Sequence, residues 1–177
     1  RGILKDDTVT GEVRMKHTIS VLVENHAGVL ARVAGLFARR GFNIDSLAVG
    51  VTDDENVSRM TIVADGSAYT LEQIEKQLNK LIDVIKVKTL SQESMVSREL
   101  VLIKVSCTPK QRPEIISIVE LSHGKISDIC ANSITIEISD SQQQLNNFEE
   151  LLRPYGIKEI VRTGTIAMQK GEATVRI

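Results

Sequence analysis

A chain of 177 residues has room for one well-filled domain or two small ones. Its formal net charge of −1 lends no support to a nucleic-acid or anionic-membrane partner, and 42% hydrophobic with 25% charged residues is ordinary for a soluble globular protein. Aromatics make up 3% and Trp is missing, so cores must be built from Ile, Val, Leu and Ala.

Residues 1–14 lack an apolar core and read as an extension or an engineered remnant. His17 to Glu24 then alternates Ile19, Val21 and Val23 with Thr18 and Ser20, the pattern of a half-buried strand. Residues 28–40 switch to helical period, with Leu30, Val33, Ala34 and Phe37 as the inward stripe, and Gly41 as the left-handed stop. Strands follow at 43–51 and 57–64 around the turn Asp53-Asp54-Glu55-Asn56. Thr70-Leu-Glu-Gln73 has the spacing of a capping box and opens a helix on Leu71, Ile74, Leu78 and Leu81. In the strand 84–90, Ile85 and Val87 alternate with Lys86 and Lys88.

Residues 92–97 are polar and read as a linker, and the same order of elements then repeats. A strand spans 99–107. Thr108-Pro-Lys-Gln111 supplies a cap for a helix carrying Ile115, Ile116, Val119 and Leu121. Strands at 125–131 and 133–139, a helix at 141–153 and a last strand at 157–168 complete it. Two successive βαββαβ units, 15–91 and 98–177, predict an α+β chain of two tandem ferredoxin-like domains. Each packs two helices on one face of its sheet. The other face is expected to be open, with Leu22, Leu100 and Leu102 on it, which argues for a homodimer.

Little in the chain points to bond-making chemistry. No nucleophile–base pair, metal-ligand spacing or phosphate loop stands out, so neither catalytic nor metal-binding residues are assigned. Cys107 and Cys130 are expected to be buried, reduced thiols. Sheets that bind RNA stack bases on strand aromatics, and no strand here carries one, so nucleic acid is not expected as a partner. No run approaches the roughly 20 apolar residues of a membrane span. No secretory leader is visible, which makes a bacterial cytoplasm the expected location and plastid stroma the alternative.

What remains is the segment Val23-Glu-Asn-His-Ala-Gly-Val-Leu30 and its continuation to Asn43. Amides near Ala27, Gly28 and Val29 at a helix N-terminus suit a carboxylate. Asn43 can accept from an ammonium group. Val29, Leu30 and Ile44 offer apolar walls, and Asn25 and Gly28 serve equally well as turn formers. The chemistry is that of an amino-acid sensor.

The run from Ser20 to Val49, with Ser58-Arg-Met-Thr-Ile62, Gln73 to Val84, Arg98-Glu-Leu-Val-Leu-Ile-Lys104 and Ile160-Val-Arg-Thr-Gly164, strongly resembles the small, regulatory subunits of acetolactate synthase (acetohydroxyacid synthase). The resemblance covers residues 17–168. It implies an N-terminal ACT domain, a homodimer that binds valine or a related branched-chain amino acid across its interface, and ligand positions at Asn25, Gly28 and Asn43. Ala27, Val29, Leu30 and Ile44 lie close by. His26 falls on a variable position. The resemblance also implies a separate catalytic subunit using thiamine diphosphate, Mg²⁺ and FAD, which this chain activates and places under feedback inhibition. The alternative is a free-standing ACT-type sensor acting on another biosynthetic enzyme. Arg32, Leu36 and Arg40 are candidates for contact with the catalytic subunit.

Overall fold

The computed structural model describes residues 15–176, so the extension expected at 1–14 lies outside the described residues. Strand β1 (Met15–Glu24), helix α1 (Val29–Arg39), β2 (Ile44–Val51), β3 (Val57–Gly66), α2 (Ala68–Leu78) and β4 (Val84–Leu90) form the first unit. Its antiparallel sheet runs β2-β3-β1-β4. The second unit comprises β5 (Met95–Ser106), α3 (Arg112–Leu121), β6 (Lys125–Cys130), β7 (Ser133–Asp140), α4 (Gln142–Leu152), β8 (Ile157–Arg162) and β9 (Ile166–Gln169). Its strands run β6-β7-β5-β8, with β9 added to the start of β5. The two sheets and their helices are the tandem ferredoxin-like arrangement read from the element order. Ile19, Val21 and Val23 pack with Val33, Phe37 and Ile74 in one core; Val101, Ile103 and Val105 pack with Ile115, Leu145 and Phe148 in the other.

Several local expectations are corrected. In α1 the inward residues are Val29, Val33, Leu36 and Phe37, while Leu30 is 45% exposed. Leu36 is therefore core and not a docking residue. Ser67 rather than Thr70 caps α2: its extended backbone lets the side chain accept from the Thr70 amide, which makes Thr70 the third helical residue. A shift of register opposite Leu22 and Val23 turns Ile85 outward and leaves Val84 and Val87 on the core. Thr108 and Gln111 do make the reciprocal capping bonds, but they close a separate turn and regular helix begins only at Arg112. Leu121, at the end of α3, is 83% exposed, and Ile118 packs on the core instead.

Met95 to Ser97, expected as linker, belong to β5, which is long enough to serve two partners. Val101 to Val105 pair with β8, and Met95 to Arg98 pair with β9. The single last strand expected over 157–168 is therefore two. It breaks at Thr163–Thr165, where Gly164 has φ 85 and Thr163 exchanges hydrogen bonds with the Leu100 backbone.

The expected open face is also revised. Leu22 is 2% exposed, because Ala167 of β9 and Val175 beyond it close over Leu22, Val57 and Leu90. Lys86 Nζ donates to the Arg176 carbonyl (2.6 Å) and Arg59 Nη2 to the Val175 carbonyl (2.6 Å), so two cations of the first sheet hold this terminal strap by its backbone. Among the described residues the second sheet keeps its outer face open, with Leu100 half-buried and Leu102 exposed.

Candidate functional site

The two ends of α1 carry the candidate ligand residues, and each end is shaped by its own backbone motif. At the N-terminus Gly28 is the cap residue with φ 90, a left-handed conformation that favours glycine, and no side chain caps the helix. Ala27 and Gly28 are exposed, whereas the Val29 side chain is turned into the core and does not wall a ligand site, leaving only its backbone at the helix N-terminus. The Asn25 amide donates to the Asn56 carbonyl (2.7 Å). Its side-chain Nδ2 donates to the Glu55 carbonyl (2.7 Å), and its Oδ1 accepts from Ser58 Oγ (3.0 Å). Asn25 thus fastens the end of β1 to the β2–β3 turn.

At the C-terminus the Gly41 amide bonds back to the Ala38 carbonyl and the Phe42 amide to the Phe37 carbonyl, while the rings of Phe37 and Phe42 meet edge-on at 6.4 Å. These are the two bonds and the apolar contact of a Schellman motif with glycine at its left-handed position. The motif fixes where the chain leaves the helix, and so where Asn43 and Ile44 lie. Asn43 is exposed and donates to Asp45 Oδ1 (2.8 Å), and Ile44 is half-buried against the core.

Within one chain the two asparagines do not converge. Ile44 and His17 are both level with Ala64, whereas Asn25 lies beyond the far end of β1. The eight residues from His17 to Asn25 span roughly 26 Å of strand. A single protomer therefore presents half of the expected constellation at each end of α1.

Around the N-terminal half lies a charged cluster that sequence reasoning set aside. Arg32 grips both carboxylate oxygens of Asp83, at 2.6 and 2.9 Å. His26 Nε2 lies 3.2 Å from Asp83 Oδ1 and 3.2 Å from Glu24 Oε2, and Nδ1 lies 3.2 Å from the Ala27 carbonyl. The Ala27 hydrogen bond, joined by the two carboxylates, raises the His26 pKa above its ordinary value; the Arg32 guanidinium holds Asp83 below the usual carboxylate range. Glu24, His26 and Asp83 offer ligand atoms within 4.8 Å of one another, but Arg32 already supplies the positive charge that a cation would bring. No local pattern could reveal Asp83, which meets Arg32 across 51 residues. Elsewhere, Cys107 is buried as expected and Cys130 is exposed, contrary to expectation, because it ends the edge strand β6. No described helix is long and apolar enough to cross a membrane.

Comparison with known proteins agrees with this architecture. Residues 19–86 match the model of the AHAS small subunit-like ACT domain, and residues 98–171 match that of the small subunit of acetolactate synthase. The chain is 52% identical over 157 residues to a probable acetolactate synthase small subunit of Archaeoglobus fulgidus, covering 89% of this chain and 98% of that one. It is 50% identical over 155 residues to the acetolactate synthase small subunit of Mycolicibacterium smegmatis, covering 88% and 91%. The crystal structure of the small subunit from Thermotoga maritima superposes with a TM-score of 0.83 at 41% identity, covering 90% of this chain and 99% of that one.

Proposed function

The chain belongs to the family of acetolactate synthase small subunits, and we propose that it is a non-catalytic regulatory subunit that binds valine between two ACT domains. On this reading it raises the activity of a separate catalytic subunit and lets valine inhibit it. The chain itself supplies no catalytic group and no cofactor. Thiamine diphosphate, Mg²⁺ and FAD act in the catalytic subunit, and the complex works in the cytoplasm. Valine must then bind the low-activity arrangement better than the active one, with reciprocal coupling.

The observation that carries this reading is the separation of Asn25 and Gly28 from Asn43 and Ile44 beside an edge strand. Among the described residues, strand β2 has β3 on one side and no strand on the other. A two-fold antiparallel pairing of β2 with its copy brings the Asn43 end of one protomer alongside the Asn25–Gly28 end of its partner. Backbone amides at α1 then meet the carboxylate, Asn43 meets the ammonium, and Leu30 and Ile44 flank the side chain.

Complementation between protomers tests it. Calorimetry on mixed dimers of a Gly28→Asp chain and an Asn43→Ala chain is expected to show one valine site per dimer, because one of the two composite sites stays intact. Neither variant alone is expected to bind, and lysine serves as the control ligand. Mixed dimers without a valine site count against a composite site, and a wild-type chain without one counts against valine.

A further inference from the structure

Between the first sheet and the β5–β9 ribbon lies a cavity of about 370 Å³, within the usual range of small-ligand sites. Its floor includes Arg59 of β3, and Arg98 of β5 and Met168 of β9 face it from the other unit. Neither Asn25, Gly28 nor Asn43 lines it, so it is separate from the amino-acid site proposed above.

We propose that this cavity binds a short apolar carboxylate without an ammonium group, such as a branched 2-oxo acid. Val96, Ile166 and Met168 are large apolar side chains left exposed along its walls. Among the described residues the charged ones lining it are Arg59 and Arg98; Asp53 and Asp54 line the adjoining pocket beyond Arg59 and Met168, not this one. Among the described residues neither arginine takes part in an ion pair. Arg59 is half-buried; its Nε is buried with no partner, and its Nη2 reaches only the neutral Val175 carbonyl. Arg98 Nη1 donates to the Ser97 carbonyl (2.7 Å), again a neutral acceptor. A guanidinium drawn out of water without a counter-charge is costly, and an unpaired buried donor calls for a missing partner. Two arginines beside apolar walls suit a carboxylate with a branched tail, since the guanidinium fork matches carboxylate geometry. With no acid among the described residues of the lining, an ammonium group would lose its hydration without return, which disfavours valine here.

The test follows the methyl resonances of labelled methionine in the full chain. Met168 lines the cavity, whereas Met15, on β1, and Met60, in the first core, do not. Titration with 3-methyl-2-oxobutanoate is expected to shift Met168 saturably and to leave Met15 in place. Arg98→Gln, at an exposed position that does not support the core, is expected to weaken binding about tenfold, the worth of one charged hydrogen bond. Asn43→Ala is expected to leave it unchanged. The neutral ketone 3-methyl-2-butanone is expected to bind far more weakly. A Met168 signal that ignores the acid at millimolar concentration, or that responds equally to acid and ketone, overturns the proposal. The titration is run at a fixed protein concentration, since Val49 and Val51 of the β2 edge also line the cavity and pairing there would itself shift Met168.

Discussion

Asp83, Arg32 and His26 tie the loop before α1 to the start of β4, and their charges set a pH dependence whose sign can be worked out. His26 has its pKa raised on folding, so its contribution is complete below its ordinary value of 6.5 and is lost as pH rises through the folded value. Asp83 has its pKa lowered, so its contribution is present above 3.8 and is lost as pH falls through the folded value. The cluster is therefore complete in mildly acid solution. The stability gap between the parent chain and His26→Gln, read from denaturant midpoints, is expected to hold below about pH 6 and to shrink as pH rises from there to about pH 8. High salt is expected to shrink it as well, because His26 is exposed. A gap constant across that range excludes a charged role for His26. At this scale the sequence was informative about backbone and silent about long-range charge. Gly28, Gly41 and the two asparagines stand out by residue type, because left-handed and turn geometry select those types. Arg32 and Asp83 look like two unrelated surface charges until the sheet brings them together.

Elements were legible wherever hydrophobic period decided them, as in β1 and β7, and misplaced wherever a single hydrogen bond or a shift of register decided them. Ser67 displaces Thr70 because the chain leaves β3 in extended conformation one residue before the helical run, a fact that no i, i+3 spacing carries. The split between β8 and β9 was invisible because residues 157–168 are strand-like throughout. What divides them is Gly164, at φ 85, lying against β2 of the other unit. A Cβ there would stand 2.9 Å from the Leu47 carbonyl oxygen, and the neighbouring Thr165 amide donates to Ser46 Oγ (2.8 Å). Gly171 has a similar φ of 73 but open space around it. Gly171→Ala is therefore expected to cost only the backbone strain, about 1–3 kcal/mol. Gly164→Ala is expected to cost more by the contact with Leu47. Thermal melting of the two variants side by side measures the difference, and equal losses mean that the two units are not pressed together at this point.

Among the described residues five strands lie at a sheet edge, β2 and β4 in the first sheet and β6, β8 and the four-residue β9 in the second, and three of them, β4, β6 and β8, carry charges against pairing. β4 bears Lys86 and Lys88 and sits beside a register shift; β6 bears Lys125 and Asp128 and also has one; β8 bears Lys158, Glu159 and Arg162. Charges and bulges of this kind keep strand edges from adding foreign strands. β2 has its register shift and its one charge, Asp45, at the start of its pairing, but from Ser46 to Val51 it is regular and uncharged, and Val49 and Val51 are exposed. The proposed dimer is expected at this edge and not at open sheet faces, since the outer face of the first sheet is closed by the chain's own strap. Val49→Lys puts a charge on the edge without removing a buried side chain. It is expected to shift sedimentation from dimer towards monomer and to make the melting temperature independent of protein concentration. Val161→Lys, an exposed position on the second sheet, is expected to leave the dimer intact. Because the proposed valine site is shared between protomers, Val49→Lys is also expected to weaken valine binding in step with dissociation, although Val49 is not one of the residues assigned to the ligand. A Val49→Lys chain that remains dimeric and binds valine as before places the interface elsewhere, and Val161→Lys then reports whether the second sheet provides it.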